Sequence, residues 1–124
     1  MTTTKIIGVY LDRDSLPMVQ VDRHVQCRNF ERIKWEKDDD SPDFDFVSVE
    51  PWRKEDDKKP MSLSKKEENE PDNKRRPGYK KYIAADNNTE IKGDQAYILT
   101  VTDGEAEYTT DGPTLPGDKP VIRN

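Results

Sequence analysis

A chain of 124 residues with a formal net charge of −5 has the length of one domain. Leu, Ile, Val and Phe together number 23, a scarcity close to that of disordered chains, but charges of both signs largely cancel and a thin core remains feasible. The single cysteine, Cys27, excludes an intrachain disulfide, and no apolar run approaches membrane-spanning length.

The charge is uneven. Residues 53–82 carry eleven Lys/Arg and seven Asp/Glu, while the remainder is acidic. An acidic body disfavours broad nucleic-acid binding. The apolar run Ile6 to Leu11 is too short for a signal-peptide core, so a cytoplasmic location is expected. The sequon Asn87-Asn88-Thr89 is then expected to be inert.

In chain order, Lys5 to Leu11 places Ile7, Val9 and Leu11 on one side of a strand. Met18 to Arg28 aligns Val19, Val21, Val25 and Cys27, interrupted by Arg23. Either the Arg23 stem lies along apolar surface, or a bulge or kink divides the segment. Phe30 to Glu36 aims Ile33 and Trp35 inward. Phe44 to Glu50 sets Phe44 and Phe46 opposite to Val47 and Val49. The span 53–78 reads as a charged, mobile insert, with Met61 and Leu63 as a short strand. Within it Ser64-Lys65-Lys66-Glu67 has capping-box spacing, enough for a turn or two of solvated helix. Tyr79 to Ala85 puts Tyr79, Ile83 and Ala85 on one side. Ala96 to Thr110 reads as a hairpin with a two-residue Asp103-Gly104 turn. That register pairs Thr102 with Glu105, Val101 with Ala106 and Leu99 with Tyr108, and puts Tyr97, Leu99, Val101, Ala106 and Tyr108 on one face. Pro120 to Arg123 reads as a short edge strand.

Seven or eight short strands without a sustained helical period imply an all-β chain. The expected architecture is an antiparallel two-sheet β-sandwich, immunoglobulin-like, in one domain over 1–124. Trp35 is expected to sit against the hairpin face. Asp94-Gln95-Ala96-Tyr97 lends weak support, being one residue short of the tyrosine-corner spacing.

The chemistry-bearing residues are few. His24 and Cys27 lie three apart on a strand and so face opposite ways, which argues against a shared metal. The single His leaves no third group to orient a nucleophile–base pair, and the six isolated glycines form no phosphate loop. An enzyme is therefore not expected, and no cofactor is implied. Asp38, Asp39, Asp40, Asp43 and Asp45 form a weak Ca²⁺ candidate through oxygen ligands, without EF-hand spacing. Lys74, Arg75, Arg76, Tyr79, Lys80, Lys81 and Tyr82 interleave cations with aromatics, a pattern that can track phosphates and stack bases. The edge strand at 120–123 invites pairing with another chain or self-association.

The succession Ile33-Lys34-Trp35, Phe44-Asp45-Phe46-Val47-Ser48-Val49, Tyr97-Ile98-Leu99-Thr100-Val101 and Lys119-Pro120-Val121-Ile122-Arg123-Asn124 resembles the DP-EP family of small bacterial β-sandwich proteins. The resemblance spans about residues 18–124 without the charged insert. It implies a bacterial β-sandwich. The family carries no established activity, so the resemblance adds no catalytic residue. The expected role is a non-enzymatic binding or structural module that engages a protein partner or itself, without a membrane. The alternative is a nucleic-acid-binding accessory protein using 74–82.

Overall fold

Alternation builds the first strand. β1 (Thr4–Leu11) buries Ile7, Val9 and Leu11 and turns the residues between them outward. The computed structural model describes residues 3–15, 18–64, 68–71, 80–110 and 119–124, with 68–71, 80 and 81 described by backbone alone. Nine further strands follow: β2 (Val19–Gln20), β3 (His24–Gln26), β4 (Arg32–Lys37), β5 (Asp45–Trp52), β6 (Glu68–Pro71), β7 (Lys80–Asp86), β8 (Asp94–Thr102), β9 (Glu107–Thr109) and β10 (Val121–Arg123). No helix occurs among the described residues.

The strands form two sheets, β2-β1-β4-β7-β6 and β3-β10-β8-β5, with β9 also paired to β8. Both are mixed, which corrects the expectation of purely antiparallel pairing. β1 runs parallel to β4 and β3 runs parallel to β10. The cause lies between residues 19 and 31. β2 folds back on β1 through a loop closed by the Asp12 N–H donating to the Met18 carbonyl at 2.7 Å. The chain then crosses to the other sheet as β3 and returns as β4, now running the same way as β1. The period-two segment Met18 to Arg28 is thus divided at Arg23, as one of its two readings required. Arg23 Nη1 donates to the Thr110 carbonyl at 3.2 Å there.

The core lies between the sheets. From one come Ile7, Val9, Leu11, Ile33, Trp35, Ile83 and Ala85, and from the other Val25, Phe46, Val49, Tyr97, Leu99, Val101 and Ile122. Trp35 is fully buried, and its ring meets that of Tyr97 edge-on with centroids 5.2 Å apart. Burying these large aromatic surfaces adds to the aliphatic core and stabilises the contact between the sheets.

Three expected details give way to tertiary geometry. In β5 the pairing shifts between Phe46 and Ser48, leaving Val47 as an extra residue. This bulge reverses the alternation, so Phe46 and Val49 share the core face instead of opposing one another. In the hairpin, Thr102 pairs with Glu107 and Val101 with Tyr108, so Asp103 to Ala106 form a four-residue loop. The Asp103 carboxylate decides this by accepting the N–H groups of Glu105 and Ala106, each at 2.9 Å. Ala106 is exposed in the loop, while Tyr108, expected opposite Leu99, pairs with Val101 and still packs against the core. Finally, β10 is no edge: it lies between β3 and β8.

The charged insert contributes structure at two points. Leu63 is buried and forms an isolated bridge to Asn87. β6 pairs with β7. Of the helical reading at 64–67, residues 65–67 lie outside the described residues.

Candidate functional site

The Ca²⁺ candidate is not assembled. Asp38, Asp39, Asp40 and Asp43 are exposed and Asp45 half-buried. The centre of their loop is taken by a cation: Lys37 Nζ donates to the carbonyls of Asp38 and Ser41, each at 3.2 Å, and lies 3.8 Å from Asp43 Oδ1. Among the described residues no three His, Cys, Asp or Glu side chains are grouped as metal ligands. The buried Ser41 hydroxyl gives this loop a structural task, accepting the Leu11 N–H at 2.9 Å and donating to the Pro42 carbonyl at 3.0 Å.

His24 and Cys27 diverge as their spacing requires, His24 exposed and Cys27 buried. Burial pushes the Cys27 thiol up to about 11, against a small opposing effect of Lys5. A thiol held protonated is a poor nucleophile. Of the basic-aromatic segment, Lys74, Arg75, Arg76 and Tyr79 lie outside the described residues, and Lys80 and Lys81 are placed in β7 by their backbone. The Tyr82 ring is half-buried and already engaged, with Lys34 Nζ 4.2 Å from its centroid.

A cleft of about 640 Å³ opens elsewhere, where β5 ends and β8 begins, within the range of small-molecule sites. Its walls come from Trp52 and the chain through Ser62 on one side, and from residues 90–96 on the other. Three features organise it. Gln95 braces the two walls: its Oε1 accepts the Ser62 N–H at 3.1 Å, and its Nε2 donates to the carbonyls of Trp52 at 2.9 Å and Ala96 at 2.8 Å. The Trp52 ring carries Lys119 Nζ 4.2 Å from its centroid, a cation–π contact that covers part of the indole. Gly93, at φ 112°, turns the facing loop with open space where a side chain would stand.

Ser62 is the unusual member. It is 5 % exposed, yet its hydroxyl has no hydrogen-bond partner among the described residues. Burying an unsatisfied hydroxyl costs about 1–3 kcal/mol, and such a group in a native fold asks for a partner.

None of Trp52, Ser62 and Gln95 stood out in the sequence as a site residue. The available signal was Trp52 itself, a large aromatic at the junction of a strand with the charged run beginning at Arg53. Ser62 and Gln95 are 33 residues apart and meet only in the fold. No protein-family model matches this chain, and no curated protein is significantly similar to it.

Proposed function

We propose that this protein is a non-enzymatic binding module built on an immunoglobulin-like β-sandwich, and that the cleft between Trp52 and Gln95 is its binding site. The observation that carries the reading is a ligand-sized cleft whose two walls are tied together by the Gln95 side chain through Ser62, Trp52 and Ala96. Cys27 is a protonated, enclosed thiol and His24 lies on the outer side of its strand, which favours binding over catalysis.

Strand order supports the immunoglobulin-like assignment. β4-β7-β6 and β10-β8-β5 reproduce the order of strands B-E-D and G-F-C, in the same chain succession. The departure is β1, parallel to its neighbour β4. The motifs that resemble the DP-EP family fall on or beside β4, β5, β8 and β10, so membership of that family is proposed together with the topology. A cytoplasmic location belongs to the same proposal, supported by a single cysteine buried as a free thiol. Among the described residues no helix is long and apolar enough to cross a membrane.

Amide NMR of the labelled chain against a library of small fragments tests the site. Binders are expected to shift the amides of Trp52, Ser62, Gly93 and Gln95. Fragments that perturb other surfaces and leave these four unmoved would reject it. Nucleic-acid binding by Lys74 to Tyr82 is the competing reading. A low-salt gel shift of single- or double-stranded probes, abolished by neutralising Lys74, Arg75 and Arg76, would favour that reading instead.

A further inference from the structure

The outer edge of β1 is open over part of its length. Backbone N–H and C=O groups along a strand point alternately to its two sides. The Thr3 carbonyl accepts the N–H groups of Glu31 and Arg32 at 3.1 and 3.2 Å, and the Val9 carbonyl accepts that of Asp38 at 2.8 Å. The odd-numbered residues of β1 therefore bond to β4, and the even-numbered ones face away from it. On that far side Tyr10 meets Gln20 of β2, which reaches no further back. Among the described residues no strand pairs with Thr4, Ile6 and Gly8 there. The other edges are guarded. β5 is broken by the Val47 bulge and carries Pro51, β3 spans three residues, and β6 ends in Pro71. β1 has neither proline nor bulge. Its one charge, Lys5, is half-buried and drawn toward the β4 side, with Nζ 5.6 Å from the Phe30 ring centroid. Ile6, at the centre of the open stretch, is 55 % exposed, and among the described residues it is the only large hydrophobic side chain so exposed.

We infer that β1 docks a second copy of this chain, strand against antiparallel strand across a two-fold axis at Ile6. This interface is independent of the cleft. The open stretch selects its own copy as occupant, because Thr4 to Gly8 is centred on Ile6 and β2 closes the edge beyond it. A two-fold contact sets each residue against its symmetry counterpart. Ile6 then faces Ile6, and Thr4 faces Gly8 in both directions, each pair exchanging both N–H···O=C bonds. The two exposed Ile6 side chains cover one another. The charges also complement each other. Arg32 lies beside Thr4, and Glu36 beside Gly8. The Asp38 carboxylate stands over Gly8, where an added Cβ would lie 2.5 Å from Oδ1. Strand spacing sets Arg32 of one copy about 10 Å from the Asp38 of the other, on the same row, near enough to attract at low salt. Lys34, beside Ile6, is already matched by Glu36 at 2.9 Å, so the two copies of Lys34 add little repulsion.

The test is sedimentation velocity of the full chain from about 10 µM to about 1 mM, with amide NMR at both ends of the range. A short strand pairing is a small interface, so half-dimerisation is expected inside that range. The molar mass should rise from that of a monomer toward twice that value. Amide shifts at Thr4, Ile6 and Gly8 should depend on concentration, and exchange of the Ile6 amide should slow as concentration rises. Ile6→Pro removes the N–H at the axis and takes nothing from the β4 ladder, because that N–H faces the open edge. Ile6→Lys sets two ammonium groups opposite one another. Each should weaken association at least ten-fold, whereas His24→Ala, on the exposed side of β3, should change it less than about two-fold. A monomer at every concentration would overturn the proposal. So would a dimer that both Ile6 variants form equally well, or one whose concentration-dependent shifts fall outside β1. Should either variant fail to fold, the exchange of Ile6 in the unaltered chain decides alone: protection that does not change with concentration rejects the interface.

Discussion

The indole N–H of Trp35 donates to the hydroxyl of Tyr97 at 3.2 Å, joining β4 of one sheet to β8 of the other inside the core. Both side chains are fully buried, and burial holds the Tyr97 hydroxyl above the usual phenol range. Tyr97→Phe leaves the shape nearly unchanged and strands the indole donor. The expected loss is about 1–3 kcal/mol, read as a lower urea midpoint with unchanged slope. Equal midpoints for the two proteins would show that the bond contributes nothing net.

Two buried serines should respond in opposite directions. Ser41 accepts the Leu11 N–H and donates to the Pro42 carbonyl, so Ser41→Ala should destabilise by about 1–2 kcal/mol. Ser62 has no hydroxyl partner. Ser62→Ala removes a desolvated polar group and should leave stability unchanged or raise it by up to about 1 kcal/mol. Thermal denaturation of both variants without ligand checks the contrast. A Ser62→Ala protein as unstable as Ser41→Ala would mean that the hydroxyl is satisfied in solution.

The hairpin carries an acid-sensitive lock. Backbone N–H groups of Ala106 and Glu105, then the Tyr108 hydroxyl and Arg13, hold the Asp103 carboxyl down from 3.8 to about 2. The folded value lies below the unfolded one, so the unfolded chain binds the proton more readily. The stabilising contribution is therefore complete above about pH 4 and disappears as pH falls through 2. Asp103→Asn should flatten the stability profile across that window and lower stability at neutral pH, where the 2.8 Å contact with Arg13 is lost. Denaturant titrations from pH 5 to pH 2 measure both. A profile identical to that of the parent protein would reject the lock.

The same bond acts on the alkaline side. Its hydrogen bond to Asp103 raises the Tyr108 pKa. That contribution is present below the ordinary phenol value and declines as pH rises through the folded one. In Tyr108→Phe the decline should be absent, as followed by the ultraviolet absorbance of phenolate together with stability.

Cys27 should be silent in the native protein. Its thiol is buried and pushed up to about 11. A chromogenic disulfide reagent at pH 8 is expected to label nothing in the folded chain and one thiol per chain in denaturant. Rapid labelling of the native protein would show that β3 opens locally.

Side-chain alternation made much of the secondary structure readable. Ile7, Val9 and Leu11, Ile33 with Trp35, and Tyr97, Leu99 and Val101 are buried in period two, because strand geometry sends successive side chains to opposite faces. Trp35 against the hairpin face followed from the same rule, and the structure names Tyr97 as the residue it meets. The misread places each involve a competing contact. Asp103 captured two backbone amides and lengthened a turn that its Asp-Gly pair marked as two residues. Val47 dropped out of register and reversed the face of Val49.

The amino-acid sequence by itself determined an all-β chain, most members of its core and the opposite orientations of His24 and Cys27. These depend on local periodicity. Tertiary structure decided which sheet each strand joined, made β1 and β3 parallel to their partners, and enclosed β10 between two neighbours. It also made the cleft. Trp52, Ser62 and Gln95 belong to separate stretches, and their assembly depends on hydrogen bonds spanning 33 and 43 residues of sequence. No local pattern encodes contacts of that reach, since they form only once the two sheets have packed.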